Sequence, residues 1–229
     1  MNENQYINDI LNTLSFESLN QMQMDVLDAY SKSDDILLLS PTGSGKTLGF
    51  LLPILQSLNP EIKKVQVLIL VPARELALQI ESVFKSMKTD FKVNCCYGGH
   101  PLKIERNNLQ TPPAVLIGTP GRIADHIEKQ TFVLDAIHTI IFDEFDKSLE
   151  FGFNNEMAYI VKNLPNVKRR ILTSATQAIS IPDFVGVKNC TTLNYLNESN
   201  SHNQLSINKI ISEDVDKLEV FIKLLTNLE

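Results

Sequence analysis

Cysteine is scarce in this sequence. Two of the three residues, Cys95 and Cys96, are adjacent, Cys190 stands alone, and no C-x-x-C spacing occurs. Adjacent cysteines rarely bridge each other, so reduced thiols, a cytoplasmic type of compartment and no zinc site are expected. No signal peptide is expected either, because "MNENQYINDILNTL" has neither a basic start nor an apolar core. The longest apolar run, "LGFLLPIL", falls far short of the ~20 residues that cross a bilayer, so a soluble protein is expected. Positive charge is in deficit: 21 Lys and Arg face 27 Asp and Glu, for a net charge of −6. That sign excludes a general attraction to nucleic acid or anionic lipid, so any polyanion site must be local. The short basic clusters at Lys63-Lys64, Lys85 with Lys88, and Lys168-Arg169-Arg170 read as solvated faces.

What is plentiful is apolar sequence in short runs. Hydrophobic residues make up 43% of the 229 positions, enough for one large domain or one and a half small ones. "DILLLS" (35–40), "VQVLILV" (65–71), "VNCCY" (93–97), "AVLIG" (114–118), "HTIIFD" (138–143) and "RRILTS" (169–174) are apolar on both faces. Such runs suit a parallel sheet covered by helices. Between them, "RELALQIESVFKSM" sets Leu76, Ile80, Val83, Phe84 and Met87 on one helical stripe, and "GRIADHIEKQ" and "NNEMAYIVKNL" are shorter helix candidates. The alternation predicts a doubly wound, mostly parallel α/β sheet with helices on both faces. Ligands of such folds sit at the carboxyl ends of the strands.

Two of those ends carry chemistry. "SPTGSGKT" (40–47) follows the first strand and opens an apolar helix. Gly43 and Gly45 permit the backbone angles that turn N–H groups inward around phosphate, and the helix amino end adds its positive dipole. Lys46 would reach the β- and γ-phosphates, and the Thr47 hydroxyl would ligate Mg²⁺. Ser40 stands where the strict P-loop pattern has glycine. "IIFDEFDKS" (140–148) then runs from a buried strand into Asp143, Glu144 and Asp146. A magnesium-chelated nucleotide supplies the positive charge that this cluster needs. Asp143 fits the second metal ligand, and Glu144 fits the group that orients and deprotonates the attacking water. A solvated strand end is the bland alternative.

With these motifs the chain resembles the DEAD-box family of RNA-dependent ATPases, in helicase superfamily 2. "SPTGSGKT" is similar to motif I, bringing Pro41, Thr42 and Ser44 into the phosphate site. "PARELA" (72–77) is similar to motif Ia, Gly98-Gly99 to the glycine doublet, and "TPGR" (119–122) to motif Ib. "DEFD" (143–146) stands for motif II, with Phe145 where the family has Ala, and "SAT" (174–176) for motif III. "FESLNQMQ" (16–23) resembles the Q motif, although Leu19 stands where the family usually has Pro. The resemblance implies a RecA-like fold and ATP with Mg²⁺ as cofactors. It implies adenine recognition by Phe16 and Gln23, and coupling of Asp146 to Ser174 or Thr176. It also implies an RNA backbone held without sequence preference by Pro72, Arg74, Gly98, Gly99, Thr119, Pro120, Gly121 and Arg122. The residues alone say only "phosphate backbone". No aromatic stacking platform is visible among these motifs, and Arg74 has a structural alternative, pairing with a helix carboxylate.

After about residue 197 the texture changes. "NESNSHNQ" reads as a linker, "LSINKIIS" as a strand and "DVDKLEVFIKLLTNLE" as a helix starting at an Asp cap. The expected organisation is an ATP-binding domain over 1–197, followed over 198–229 by a linker and the start of a second RecA-like domain. Packing of that tail back onto the first domain is the alternative. The expected function is that of the ATP-binding domain of an RNA helicase, monomeric and nearly inactive as an ATPase without the arginines of its second domain. A nucleotide-gated RNA-binding module without unwinding activity, and a DNA-directed superfamily 2 helicase, are the competing readings.

Overall fold

Each of the six apolar runs becomes a strand: β1 (Asp35–Leu39), β2 (Val67–Leu70), β3 (Val93–Cys96), β4 (Val115–Gly118), β5 (Thr139–Phe142) and β6 (Arg169–Ser174). The computed structural model describes residues 3–177, 180–196 and 217–226. Helices α1 (Glu3–Thr13) and α2 (Gln21–Lys32) precede β1. Helices α3 (Lys46–Ser57), α4 (Arg74–Ser86), α5 (Leu102–Leu109) and α6 (Pro120–Glu128) connect the strands up to β5. Helices α7 (Phe145–Glu150) and α8 (Asn154–Lys162) lead to β6, and a short 3₁₀ turn at Asp183–Val185 precedes a seventh strand, β7 (Cys190–Asn194).

The strands form one all-parallel sheet in the order β3-β4-β2-β5-β6-β1-β7. Continuous hydrophobicity has the expected cause. In β2, Val67 and Ile69 point into one core layer with α3 and α4, while Leu68 and Leu70 point into the other with α6 and α8. Helix α3 is apolar nearly all round because it is buried nearly all round. On α4 the buried residues are Ala77, Ile80 and Phe84, with Leu76 and Val83 at the margin of the stripe. One close approach demands glycine. A Cβ on Gly118, the last residue of β4, would lie 2.5 Å from the Cys96 carbonyl oxygen and 2.6 Å from Ile123 Cδ1. Helix α6 can therefore start directly off the strand.

Because every strand runs the same way, all carboxyl ends lie along one edge. Strand β6 sits between β1 and β5, so the turn after β1 and the turn after β5 are two strand spacings apart, about 10 Å.

The chain divides into two units, residues 1–199 and 200–229. In the second, α9 (Lys217–Thr226) is described, and it leaves Phe221, Ile222 and Leu225 exposed. The linker and strand expected over 197–212, and the Asp cap of the final helix, lie outside the described residues. No helix among the described residues is long and apolar enough to cross a membrane.

Candidate functional site

The turn after β1 is built from both of its flanks. Gly43 and Gly45 have φ of +80° and +89°, left-handed angles that favour glycine. Lys46, the first residue of α3, is buried and donates from Nζ to the Ser40 carbonyl at 2.7 Å. Ser40 Oγ donates to Ser44 Oγ at 2.7 Å, and the Ser40 N–H reaches across to the Ser174 carbonyl at 3.0 Å. A cleft of about 340 Å³ beside this turn is lined by Pro41, Thr42, Gly43, Ser44, Asn20 and Tyr195, among others.

Gln23 fits under the turn through an N-terminal capping box on α2. Asn20 Oδ1 accepts the Gln23 N–H at 2.9 Å, and Gln23 Oε1 accepts the Asn20 N–H at 3.0 Å. Gln23 Nε2 donates to the Gly45 carbonyl at 3.2 Å, and Asn20 Nδ2 donates to the Ser44 carbonyl at 3.0 Å. A Cβ on Gly45 would stand 2.7 Å from Gln23 Nε2. Gln23 thus holds the phosphate turn directly. One N–H of its amide remains for a base, so adenine reading beyond that requires exchange of a partner. Asn20 was not singled out from sequence; the N-x-x-Q spacing of the capping box is the signal that could have found it. Phe16 is 53% exposed.

The acidic turn after β5 is held by β6. The Asp143 carboxylate is buried, and its Oδ1 accepts the Thr173 hydroxyl at 2.5 Å. Glu144 caps α7 in a left-handed conformation, φ 49° and ψ 52°, an uncommon state for a residue with a side chain. Its N–H donates to Thr173 Oγ1 at 3.1 Å. Asp146 Oδ2 accepts the Thr176 hydroxyl at 3.1 Å, while its buried Oδ1 has no hydrogen-bond partner. Of the two partners expected for Asp146, Thr176 is the one it meets. Ser174 instead closes a local turn, accepting the Thr176 N–H at 2.9 Å. Phe145 is fully buried and packs edge-on to Phe142 at 5.5 Å, on the side of the turn away from solvent. Burial pushes the Asp143 carboxyl up to about 6, against the pull of Thr173 and Lys46. Burial likewise lowers Lys46, opposed by Asp143, Glu144 and Asp146.

The donor set fits a magnesium ion. Three carboxylates act on Lys46, and one ammonium leaves them short of positive charge. Carboxylate and hydroxyl oxygens are the hard ligands that Mg²⁺ takes. Asp146 Oδ1 is, in addition, a buried lone pair without a donor. Thr47, partly exposed at the start of α3, completes the set. A second group, Cys96, Glu105 and His126, has potential ligand atoms within 4.8 Å of one another. There the Glu105 carboxylate already accepts His126 Nε2 at 2.7 Å and the Tyr97 N–H at 3.1 Å, with Arg122 Nε at 3.6 Å. Its charge is answered by Arg122, so this group is a hydrogen-bonded network and a poor host for a cation.

Further along the same sheet edge lies a groove of about 880 Å³. Arg74, Gly98, Thr119, Gly121 and Arg122 line it, as the sequence grouped them. Gly99 is exposed beside it, while Pro72 and Pro120 are buried and shape the backbone behind it. The structural alternative for Arg74 is not what is seen: among the described residues it pairs with no carboxylate, and its guanidinium lies 5.2 Å from the centre of the Tyr97 ring. Two aromatic rings outside those motifs, Phe153 just before α8 and Tyr159 on α8, also line the groove. Arg122 donates to the His100 carbonyl at 2.8 Å and so ties α6 to the glycine doublet. The groove also carries Asp125, Glu128 and Glu156, three carboxylates against two guanidiniums. The basic clusters read as solvated faces lie elsewhere: Lys64 pairs with Asp135 at 2.7 Å, and Arg169 covers the Tyr30 ring at 3.8 Å.

Comparison with known proteins agrees with this geometry. The family model described as DEAD/DEAH box helicase matches residues 20–184. The chain is 34% identical over 176 residues to the ATP-dependent RNA helicase DeaD of Escherichia coli, covering 76% of this chain and 28% of that protein. It is 35% identical over 222 residues to the ATP-dependent RNA helicase drs1 of Schizosaccharomyces pombe, covering 94% of this chain and 27% of that protein. Among solved structures, a DEAD box protein from Methanococcus jannaschii superposes with a TM-score of 0.73 at 29% identity, over 81% of this chain and 52% of that one. A hypothetical ATP-dependent RNA helicase from Sulfolobus tokodaii gives 0.75 at 27% identity, over 85% and 57%. The chain therefore spans little more than a quarter of these two curated relatives.

Proposed function

The chain belongs to the DEAD/DEAH box helicase family, and from that premise we propose that it is the ATP-binding domain of an ATP-dependent RNA helicase. One observation carries this reading. Lys46 and Asp143 stand at the carboxyl ends of two strands flanking β6 in an all-parallel sheet, the separation that a magnesium-chelated triphosphate bridges. The turn at 41–45 and the amino end of α3 point N–H groups at the phosphates. Lys46 exchanges the Ser40 carbonyl for a phosphate oxygen. Thr47 and Asp143 would hold Mg²⁺, which when bound neutralises charge on the phosphate oxygens. Glu144 accepts a proton from the attacking water, and its fixed backbone aims its carboxylate. Gln23 and Phe16 border the adenine, Gln23 through its remaining N–H.

RNA is the substrate to which the relatives' names point, and the Arg74–Arg122 groove is where its backbone would lie. Thr176, through Asp146, ties the acidic turn to the end of β6. Residues 1–197 form this domain, and 198–229 link it to a second RecA-like domain. The exposed apolar residues of α9 suit such a continuation. The compartment is cytoplasmic and the working unit a monomer. None of the chain's five arginines lines the cleft beside the phosphate turn, and an arginine finger is worth about 10³–10⁵ in rate. The 229-residue chain should therefore bind Mg·ADP but turn over ATP barely above background, with or without RNA. Titration with a fluorescent ADP analogue tests the site: binding should be tighter in Mg²⁺ than in EDTA and vanish in Lys46→Ala. Binding of equal strength with and without Mg²⁺, or none, would sink this assignment, and fast RNA-stimulated turnover would sink the account of the missing arginine.

A further inference from the structure

Thr173 precedes the Ser-Ala-Thr triplet and falls in none of the motifs recognised in the sequence. It is fully buried at the end of β6. The β5–β6 register pairs Phe142 with Leu172, so the next residues, Asp143 and Thr173, stand abreast. A hydroxyl has one hydrogen and two lone pairs. The Glu144 N–H must donate to Thr173 Oγ1, so the single hydroxyl hydrogen is the one that goes to Asp143 Oδ1. One oxygen atom thus fixes the rotamer of Asp143 and the left-handed backbone of Glu144. The other carboxylate oxygen of Asp143 is left to meet a cation.

We propose that Thr173 is a positioning residue for the magnesium–nucleotide site, orienting Asp143 and Glu144 through its hydroxyl. This rests on the nucleotide-binding reading above. An aliphatic residue of the same size would fill the space but take away the hydroxyl that holds the buried carboxylate and accepts from the Glu144 N–H. Partners that orient a metal ligand are worth about 10–100-fold in metal affinity.

The test measures ADP affinity of the 229-residue chain by calorimetry, once with MgCl₂ and once with EDTA. Thr173→Val should weaken binding in magnesium about tenfold and leave binding in EDTA unchanged. Thr173→Ser, which keeps the hydroxyl, should bind like the unsubstituted chain in both. Thr173→Ala carries the same expectation as Val, should Val fail to fold by circular dichroism. Three outcomes would overturn the proposal: wild-type magnesium dependence in the Val or Ala variant, a loss in Ser equal to that in Val, or an equal loss with and without magnesium. If the unsubstituted chain itself shows no magnesium-dependent ADP binding, the nucleotide site fails, and the proposal with it. That result is read before any variant is compared.

Discussion

The buried Asp143 should make the metal-free protein less stable as pH rises, and Asp143→Asn should remove that dependence. Burial lifts the carboxyl from 3.8 to about 6. A raised acid holds its proton more tightly when folded than when unfolded. Its stabilising effect is therefore complete below the unfolded value and is lost as pH rises through about 6. The full difference is worth about 3 kcal/mol. Roughly 1 kcal/mol of it is already gone at about pH 4.5 and nearly all at about pH 8, so about 2 kcal/mol separates the two. The amide of Asn mimics the neutral acid at every pH. Other carboxylates titrate alike in both proteins and cancel.

The assay is thermal unfolding of both proteins in EDTA at the two pH values. The melting temperature of Asp143→Asn relative to wild type should rise by about 4–8 °C from the acidic to the alkaline condition. The size at either single pH also contains the cost of placing the amide N–H₂, so the difference between conditions is the decisive quantity. With Mg²⁺ and ADP present the order should invert, because the ion favours the ionised carboxylate that Asn lacks. A constant offset across pH in EDTA, or one that shrinks, would refute the idea that burial and not Lys46 dominates this carboxylate.

Restoring the family's alanine should harm this protein: Phe145→Ala empties a fully buried site packed on Phe142. The expected cost is about 3–5 kcal/mol, read from urea denaturation. Glu105→Ala should cost about 3–5 kcal/mol, because buried His126 and the Arg122 guanidinium lose their shared partner. Glu105→Gln, which keeps an acceptor, should lose visibly less in the same assay. Binding of single-stranded RNA, followed by anisotropy against salt, should be weak, with a logarithmic slope of about −1.4 for two phosphates neutralised by Arg74 and Arg122. A slope twice as steep would mean that cations outside the groove take part.

Much of the architecture was legible because the sheet is buried on both faces. Such strands must be apolar at every position, and β2, β4 and β5 announce themselves without alternation. Strand β7 did not. "CTTLN" lies at an edge, is only half-buried and carries threonines, so it lacks the continuous signal. The phosphate turn and acidic turn could be read because their chemistry dictates residue types at fixed spacing. Apart from that of Asp146 with Thr176, the contacts that hold them could not. Thr173 looks like any β-branched strand residue until the register sets it beside Asp143. Tyr97 and Arg74 are 23 positions apart in sequence, and only the neighbouring ends of their elements bring ring and guanidinium together. Glu105 reads as one more exposed acid on a polar helix, whereas folding buries it between α6 and the doublet turn.

The sheet order gives β6 a task that no single motif conveys. It is the one strand adjacent to both β1 and β5, so its carboxyl end is the shared wall of the phosphate turn and the acidic turn. Each residue there serves a different neighbour. The Ser174 carbonyl receives Ser40 from the phosphate side. Thr173 takes Asp143 and Glu144, and Thr176 takes Asp146, from the acidic side. A displacement of this strand end cannot leave either turn in place, because each is bonded to it. Coupling between nucleotide and the rest of a helicase therefore needs no long relay in this domain. It requires only that whatever moves beyond Thr176 pulls on a strand end already bonded to both turns. Thr176→Val, which removes the bond to Asp146 alone, should leave Mg·ADP affinity within about threefold of wild type. A loss as large as that of Thr173→Val would show that the two bonds do not divide the work as their partners indicate.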